Sequence, residues 1–86
     1  MRPTVPIPES HRDLLEKPLI ATLATMLPSG FPQAQPVWCG FDGTHVLIST
    51  TLERAKGRNM AERPVATVLV VDPADGSRWI EVRGDV

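Results

Sequence analysis

The chain should fold as a mainly β, antiparallel domain, a small barrel or curled sheet with short helices at its openings. Short β-branched or apolar segments recur between closely spaced turn signals, and Asp42-Gly43 punctuates two of them as a hairpin does. Helix punctuation, by contrast, brackets only two stretches. With 86 residues this is one domain at most, near the lower limit for an independent core.

Taken in order, Met1 to Pro8 is a proline-rich lead with no unbroken apolar run, so it reads neither as a secretory signal nor as a membrane span. Ser10 is placed to cap a short helix over residues 11–17, with Asp13 three residues on, and Pro18 forbids its continuation. So short a helix reads as a lid and not as part of the core. Residues 19–25 (Leu-Ile-Ala-Thr-Leu-Ala-Thr) form a first strand ended by the turn Pro28-Ser29-Gly30. Residues 33–41 alternate Gln33, Gln35, Val37, Cys39 and Phe41 against Ala34, Pro36, Trp38 and Gly40, and the hairpin at Asp42-Gly43 leads to a third strand over residues 44–50. Pro36 has no N–H to give a ladder, so strand two needs an edge or a bulge there, an interruption often found beside a binding site. A helix over residues 52–62 follows, with Thr51 as N-cap and Arg63-Pro64 as its stop. Residues 65–71 are almost wholly apolar, as a central strand is, and the turn over residues 72–76 closes them. Strand five starts at Arg78, with Ile80, Val82 and Val86 on one face and Trp79, Glu81, Arg83 and Asp85 on the other. It runs to the last residue with no capping element, so residues 1–8 are expected to be a lead and residues 9–86 the N-terminal portion of a single domain.

A net charge of -1 provides no global attraction for nucleic acid, so any anion site must be local. Cys39 is the only cysteine, which excludes an internal disulfide and agrees with a cytoplasmic setting. Support for so small a core is then expected from association with another chain. His11, His45 and Cys39 match no metal-ligand spacing, and no acid–base or nucleophile dyad is recognisable. No metal site and no catalytic side chain is assigned.

The densest chemistry is at the junction Ser49-Thr50-Thr51-Leu52-Glu53-Arg54-Ala55-Lys56-Gly57-Arg58-Asn59. Hydroxyls precede a helix start, whose unbonded N–H groups and dipole favour an anion, and three cations and an amide follow. Arg grips a phosphate bidentately, Lys56 adds a mobile point charge, and Gly57 lets a ligand approach the backbone. The plainer reading is a solvated basic helix face with an ordinary cap. No GxxxxGK[ST] or GxGxxG is present, so the phosphate is not held as in a nucleotide-binding α/β fold.

Four blocks resemble the pyridoxamine 5′-phosphate oxidase-like, FMN-binding split-barrel superfamily, in particular its flavin/deazaflavin oxidoreductase branch. They are Ala21-Thr22-Leu23-Ala24-Thr25 with Gly30-Phe31-Pro32-Gln33; Pro36-Val37-Trp38 before Asp42-Gly43; the stretch from Thr50 to Met60; and Arg63-Pro64-Val65-Ala66 leading through Asp72-Pro73 to Glu81-Val82-Arg83-Gly84. The resemblance implies a split barrel that dimerises around cofactor sites at the subunit interface. It implies that Thr50, Arg54 and Lys56 meet the cofactor phosphate, with Thr51, Arg58 and Asn59 in second rank. It also implies that Gln35, Pro36, Val37 and Trp38 line the ring with their backbone groups. The Arg-Ala-Lys-x-Arg-Asn pattern is more similar to the branch using the deazaflavin coenzyme F-420 than to FMN-dependent oxidases. The implied function is hydride transfer between F-420 or FMN and a small conjugated or heteroaromatic substrate. Members of this superfamily usually continue for two further strands and a C-terminal helix.

Two rivals belong to other classes. The same barrel can hold flavin, deazaflavin or haem without turnover, as a carrier or sensor. Alternatively, Arg54, Lys56 and Arg58 can contact nucleic acid, which the near-neutral charge argues against. Large aromatics usually anchor packing in small barrels: this is the expectation for Trp79, whereas Trp38 is equally a candidate for stacking on the ring.

Overall fold

The computed structural model describes residues 5–50 and 54–86. A single turn of 3-10 helix (Glu9–His11) and a four-residue helix α1 (Asp13–Glu16) precede β1 (Ile20–Met26), β2 (Pro32–Phe41) and β3 (Val46–Ile48). Helix α2 (Ala55–Glu62) then crosses to β4 (Val65–Asp72) and β5 (Asp75–Asp85). All neighbouring strands are antiparallel, in the order β3-β2-β1-β4-β5. This is the curled, mainly antiparallel sheet of a split barrel.

The period-2 alternation of each strand divides the sheet into two unlike faces. Ala21 and Leu23 from β1, Val37 from β2, Val68 and Val70 from β4 and Ile80 from β5 point into one core, which Leu14 and Leu15 of α1 complete. The alternation read for strand five is present: Ile80 is buried, whereas Trp79, Glu81 and Arg83 are exposed. On the opposite face, Trp38 is 65% and Trp79 53% exposed.

Helix α1 corrects one expectation. Leu14 and Leu15 are 1% and 0% exposed, so the helix is a plug of the core and not a lid. Burying each leucine contributes about 1.5–3 kcal/mol. Nor does Ser10 cap it. The N-cap position is Arg12, without a side-chain cap, and Ser10 Oγ instead lies 2.8 Å from His11 Nδ1. What ties α1 down is Arg78 of β5, which donates to both carboxylate oxygens of Asp13, to Asp72 Oδ2 at 3.1 Å and to the Ser10 carbonyl at 2.6 Å.

The third strand is shorter than its β-rich sequence suggests. Asp42 Oδ1 accepts the backbone N–H of Thr44 at 2.8 Å and of His45 at 2.6 Å, drawing both into the hairpin turn, where Gly43 takes φ 97°. Pairing with β2 therefore covers only Cys39 to Phe41. As a result, Pro36 has β1 on one side and no strand on the other among the described residues, the edge position its missing N–H requires. β5 begins at Asp75 and not at Arg78, because a register irregularity at Val71/Asp72 adds residues to the β5 side of the hairpin. α2 begins at Ala55 with Arg54 at its N-cap, and the expected cap Thr51 lies outside the described residues.

Candidate functional site

The strand-to-helix junction holds two polar groups that the fold leaves unserved. Thr50 Oγ1 is buried and has no hydrogen-bond partner among the described residues. Lys56, in the first turn of α2, is 9% exposed, yet no carboxylate among the described residues pairs with it. A buried hydroxyl without a partner is unfavourable by itself, and the buried stem of Lys56 fixes where its charged end is presented. A hydroxyl and an ammonium can both donate to an anion from outside the chain, so this donor set suits a phosphate. Arg54 is exposed at the N-cap, and its carbonyl accepts the Arg58 N–H at 3.0 Å. Arg58 is also exposed; Thr51 is outside the described residues.

Asn59 faces inward, 3% exposed. Its Nδ2 donates to Thr25 Oγ1 at 3.1 Å and to Gln33 Oε1 at 3.2 Å, and its Oδ1 accepts from Arg63 Nη2 at 3.1 Å. Arg63 Nε in turn donates to the Met26 carbonyl at 2.7 Å. Thr25, Gln33 and Arg63 were not assigned to the site from the sequence, where they fall in the blocks that carry the resemblance and Arg63 also reads as part of a helix stop. The available signal was polar residues at positions of β1 and β2 whose alternation points them inward.

On β2, Val37 is part of the core, Gln35 is half-buried on the same face, and Pro36 and Trp38 are exposed on the other. Thr50, Arg54 and Lys56 are neighbours along the chain at one junction, and the structure joins Asn59 to the N-terminal end of β2 through Gln33. A concavity of about 1140 Å³ lies elsewhere, over the inner face of the sheet, lined by Leu23, Phe41, Val46, Met60, Val68 and Val82 among others. Neither Thr50 nor Lys56 borders it.

A family model described as pyridoxamine 5′-phosphate oxidase matches residues 7–86. The chain belongs to this family. No curated protein matches it. Among solved structures, an F420 reductase is similar at 40% identity with a TM-score of 0.88, over 93% of this chain and 64% of that one. A conserved hypothetical protein from Mycobacterium tuberculosis is similar at 24% identity and a TM-score of 0.77, over 98% of this chain and 54% of that one. A protein of unknown function from Agrobacterium tumefaciens is similar at 22% identity and 0.75, over 99% and 41% respectively. The last two bear on the fold alone, and this chain spans less than two thirds of the length of each of the three. Among the described residues no helix is long and apolar enough to cross a membrane.

Proposed function

We propose that this chain provides the phosphate anchor and ring wall of a flavin- or deazaflavin-dependent oxidoreductase, with coenzyme F-420 favoured over FMN. One observation carries the reading: a buried lysine with no carboxylate partner among the described residues, six positions after a threonine whose buried hydroxyl also has no partner among them, at a strand-to-helix junction. Family membership and the similarity to an F420 reductase support it. Thr50, Lys56 and the exposed Arg54 would hold the phosphate, and the backbone of Gln35, Pro36, Val37 and Trp38 would lie along the ring. When bound, the cofactor would supply the hydride chemistry, acting on a small conjugated or heteroaromatic substrate. The chain's own part is to bind the anion, orient the ring and keep water away.

The functional unit in this reading is a homodimer with the cofactor at its interface. An apolar row on the outer face supports it. Ile20 is paired with Trp38, Val71 is paired with Trp79, and extending the Thr22–Leu69 register by two residues brings Ile20 level with Val71. These four side chains are 42–65% exposed, a continuous cross-strand stripe of the kind that marks interaction surfaces.

Titrating the purified chain with F-420 and with FMN, followed by fluorescence, tests the reading. Saturable binding of one or both is expected, the deazaflavin more tightly. Absence of binding to either overturns it. Substrate-dependent oxidation of the reduced cofactor separates an enzyme from a carrier.

A further inference from the structure

Helix α2 is seated in an unusual way for a short helix on a sheet. Its buried residues are Lys56, Gly57 and Asn59, and of its apolar side chains only the half-buried Met60 packs against the core. An amphipathic helix is normally held by an apolar stripe, which tolerates small rotations. Here the stripe is polar, so the roll of the helix about its axis is set by directional hydrogen bonds. Those bonds converge on Asn59. Both N–H groups of its amide are committed, to Thr25 on β1 and to Gln33 on β2, and its oxygen takes a bond from Arg63. Arg63 closes the circuit onto the Met26 carbonyl at the end of β1, and its own backbone N–H donates to the Asn59 carbonyl at 2.8 Å.

An anion needs donors, and Asn59 has none to spare. Lys56, three residues earlier, lies on the same helix face. We propose that Asn59 is a positioning residue and not a phosphate ligand: with Thr25, Gln33 and Arg63 it locks the roll of α2 so that Lys56 is aimed at the anion beside Thr50. Because Gln33 lies in the strand that carries residues 35–38, the same latch sets the phosphate anchor in register with the ring wall. This inference rests on the cofactor reading above and specifies how that site is held.

The test uses Thr25→Val, which removes a latch acceptor at nearly constant volume, together with Asn59→Ala, the double variant and Thr25→Ser. Dissociation constants are measured for F-420 and its phosphate-free deazaflavin core, and for FMN and riboflavin, with thermal midpoints recorded alongside. Thr25→Val and Asn59→Ala should each weaken the phosphorylated ligand about three- to tenfold while leaving the phosphate-free one within about twofold. The double variant should be no weaker than Asn59→Ala, and Thr25→Ser should restore wild-type affinity. If Asn59→Ala weakens phosphorylated ligands but Thr25→Val does not, Asn59 is a ligand and the inference fails. Parallel loss for both ligand types with a falling midpoint reduces the cluster to a fold element and overturns it too. If the wild-type chain binds none of the four, the cofactor reading fails. The latch is then judged by backbone amide resonances of residues 55–60: displacement by Thr25→Val upholds it, and unchanged resonances overturn it.

Discussion

Replacing Lys56 by methionine should separate what this residue does for the fold from what it does for a ligand. The residue is 9% exposed, so its four-carbon stem is packed while no carboxylate among the described residues pairs with its charged end. Methionine keeps most of the stem and removes the charge. In the ligand-free protein the urea midpoint should stay level, because the packed stem is kept and no ion pair among the described residues is broken. Binding, by contrast, should weaken. A hydrogen bond from a charged donor is worth about 1.5–3 kcal/mol, so the dissociation constant for F-420 or FMN should rise about ten- to a hundredfold. Arg54 is the internal control: it is exposed, so Arg54→Met should cost about 1 kcal/mol or less, under roughly sixfold. Fluorescence titrations of the two variants and the wild type give all three constants. A Lys56→Met effect below about threefold, or one no larger than that of Arg54→Met, would refute the anchoring argument. So would a clear drop in the urea midpoint, which would mean that the ammonium has a structural partner.

Three further outcomes follow from the packing and charges. Arg78 holds the Asp13 carboxyl down to about 2 from its ordinary 3.8, and Asp72 is lowered chiefly by the Ala74 N–H and also by Arg78. A depressed carboxylate stabilises the fold fully above its unfolded value and loses that contribution as pH falls towards the folded one, so thermal midpoints should hold down to about pH 4 and decline towards pH 2. The decline should be shallower in Arg78→Leu; identical slopes would break the link. Leu15→Ala, at a fully enclosed position, should cost about 2–5 kcal/mol in urea unfolding, and a loss below about 1 would put α1 back outside the core. Trp38→Glu places a charge in the outer apolar row, and sedimentation velocity should show a dimer for the wild type and a monomer for the variant. Equal masses for the two would remove the row from the interface.

What could be read from the sequence followed the strength of each local signal. The apolar run of β4 and the alternation of β5 were legible because a strand's period is short and a single turn residue can end it. Asp42-Gly43 marked its hairpin for the same reason, but the length of β3 was not legible, because it depends on the Asp42 carboxylate capturing two N–H groups that the β propensity of Thr44 and His45 had assigned to a ladder. Helix α1 has four residues, too few for a periodicity, so nothing in the string separated a lid from a plug; Leu14-Leu15 acquires its meaning only where it packs against Val37 and Val70 in one core. At the junction, Thr50 and Lys56 were legible as residue types, whereas their burial was not. The hydrogen bonds of Asn59 were hidden for another reason. An amide serves equally as ligand or tether, and its partners Thr25 and Gln33 are 34 and 26 residues away in the chain.

The lone flank of β2 has a consequence for how the molecule behaves among its own copies. From Pro32 to Trp38 the strand is covered on one side only among the described residues, which makes it a template on which a stray strand could zip. Pro32 and Pro36 interrupt that stretch with two missing donors, four residues apart, so no intruding backbone can form an unbroken ladder along it. Restoring those N–H groups, as in Pro32→Thr with Pro36→Thr, would turn a border that discourages amyloid-like stacking into one that invites it.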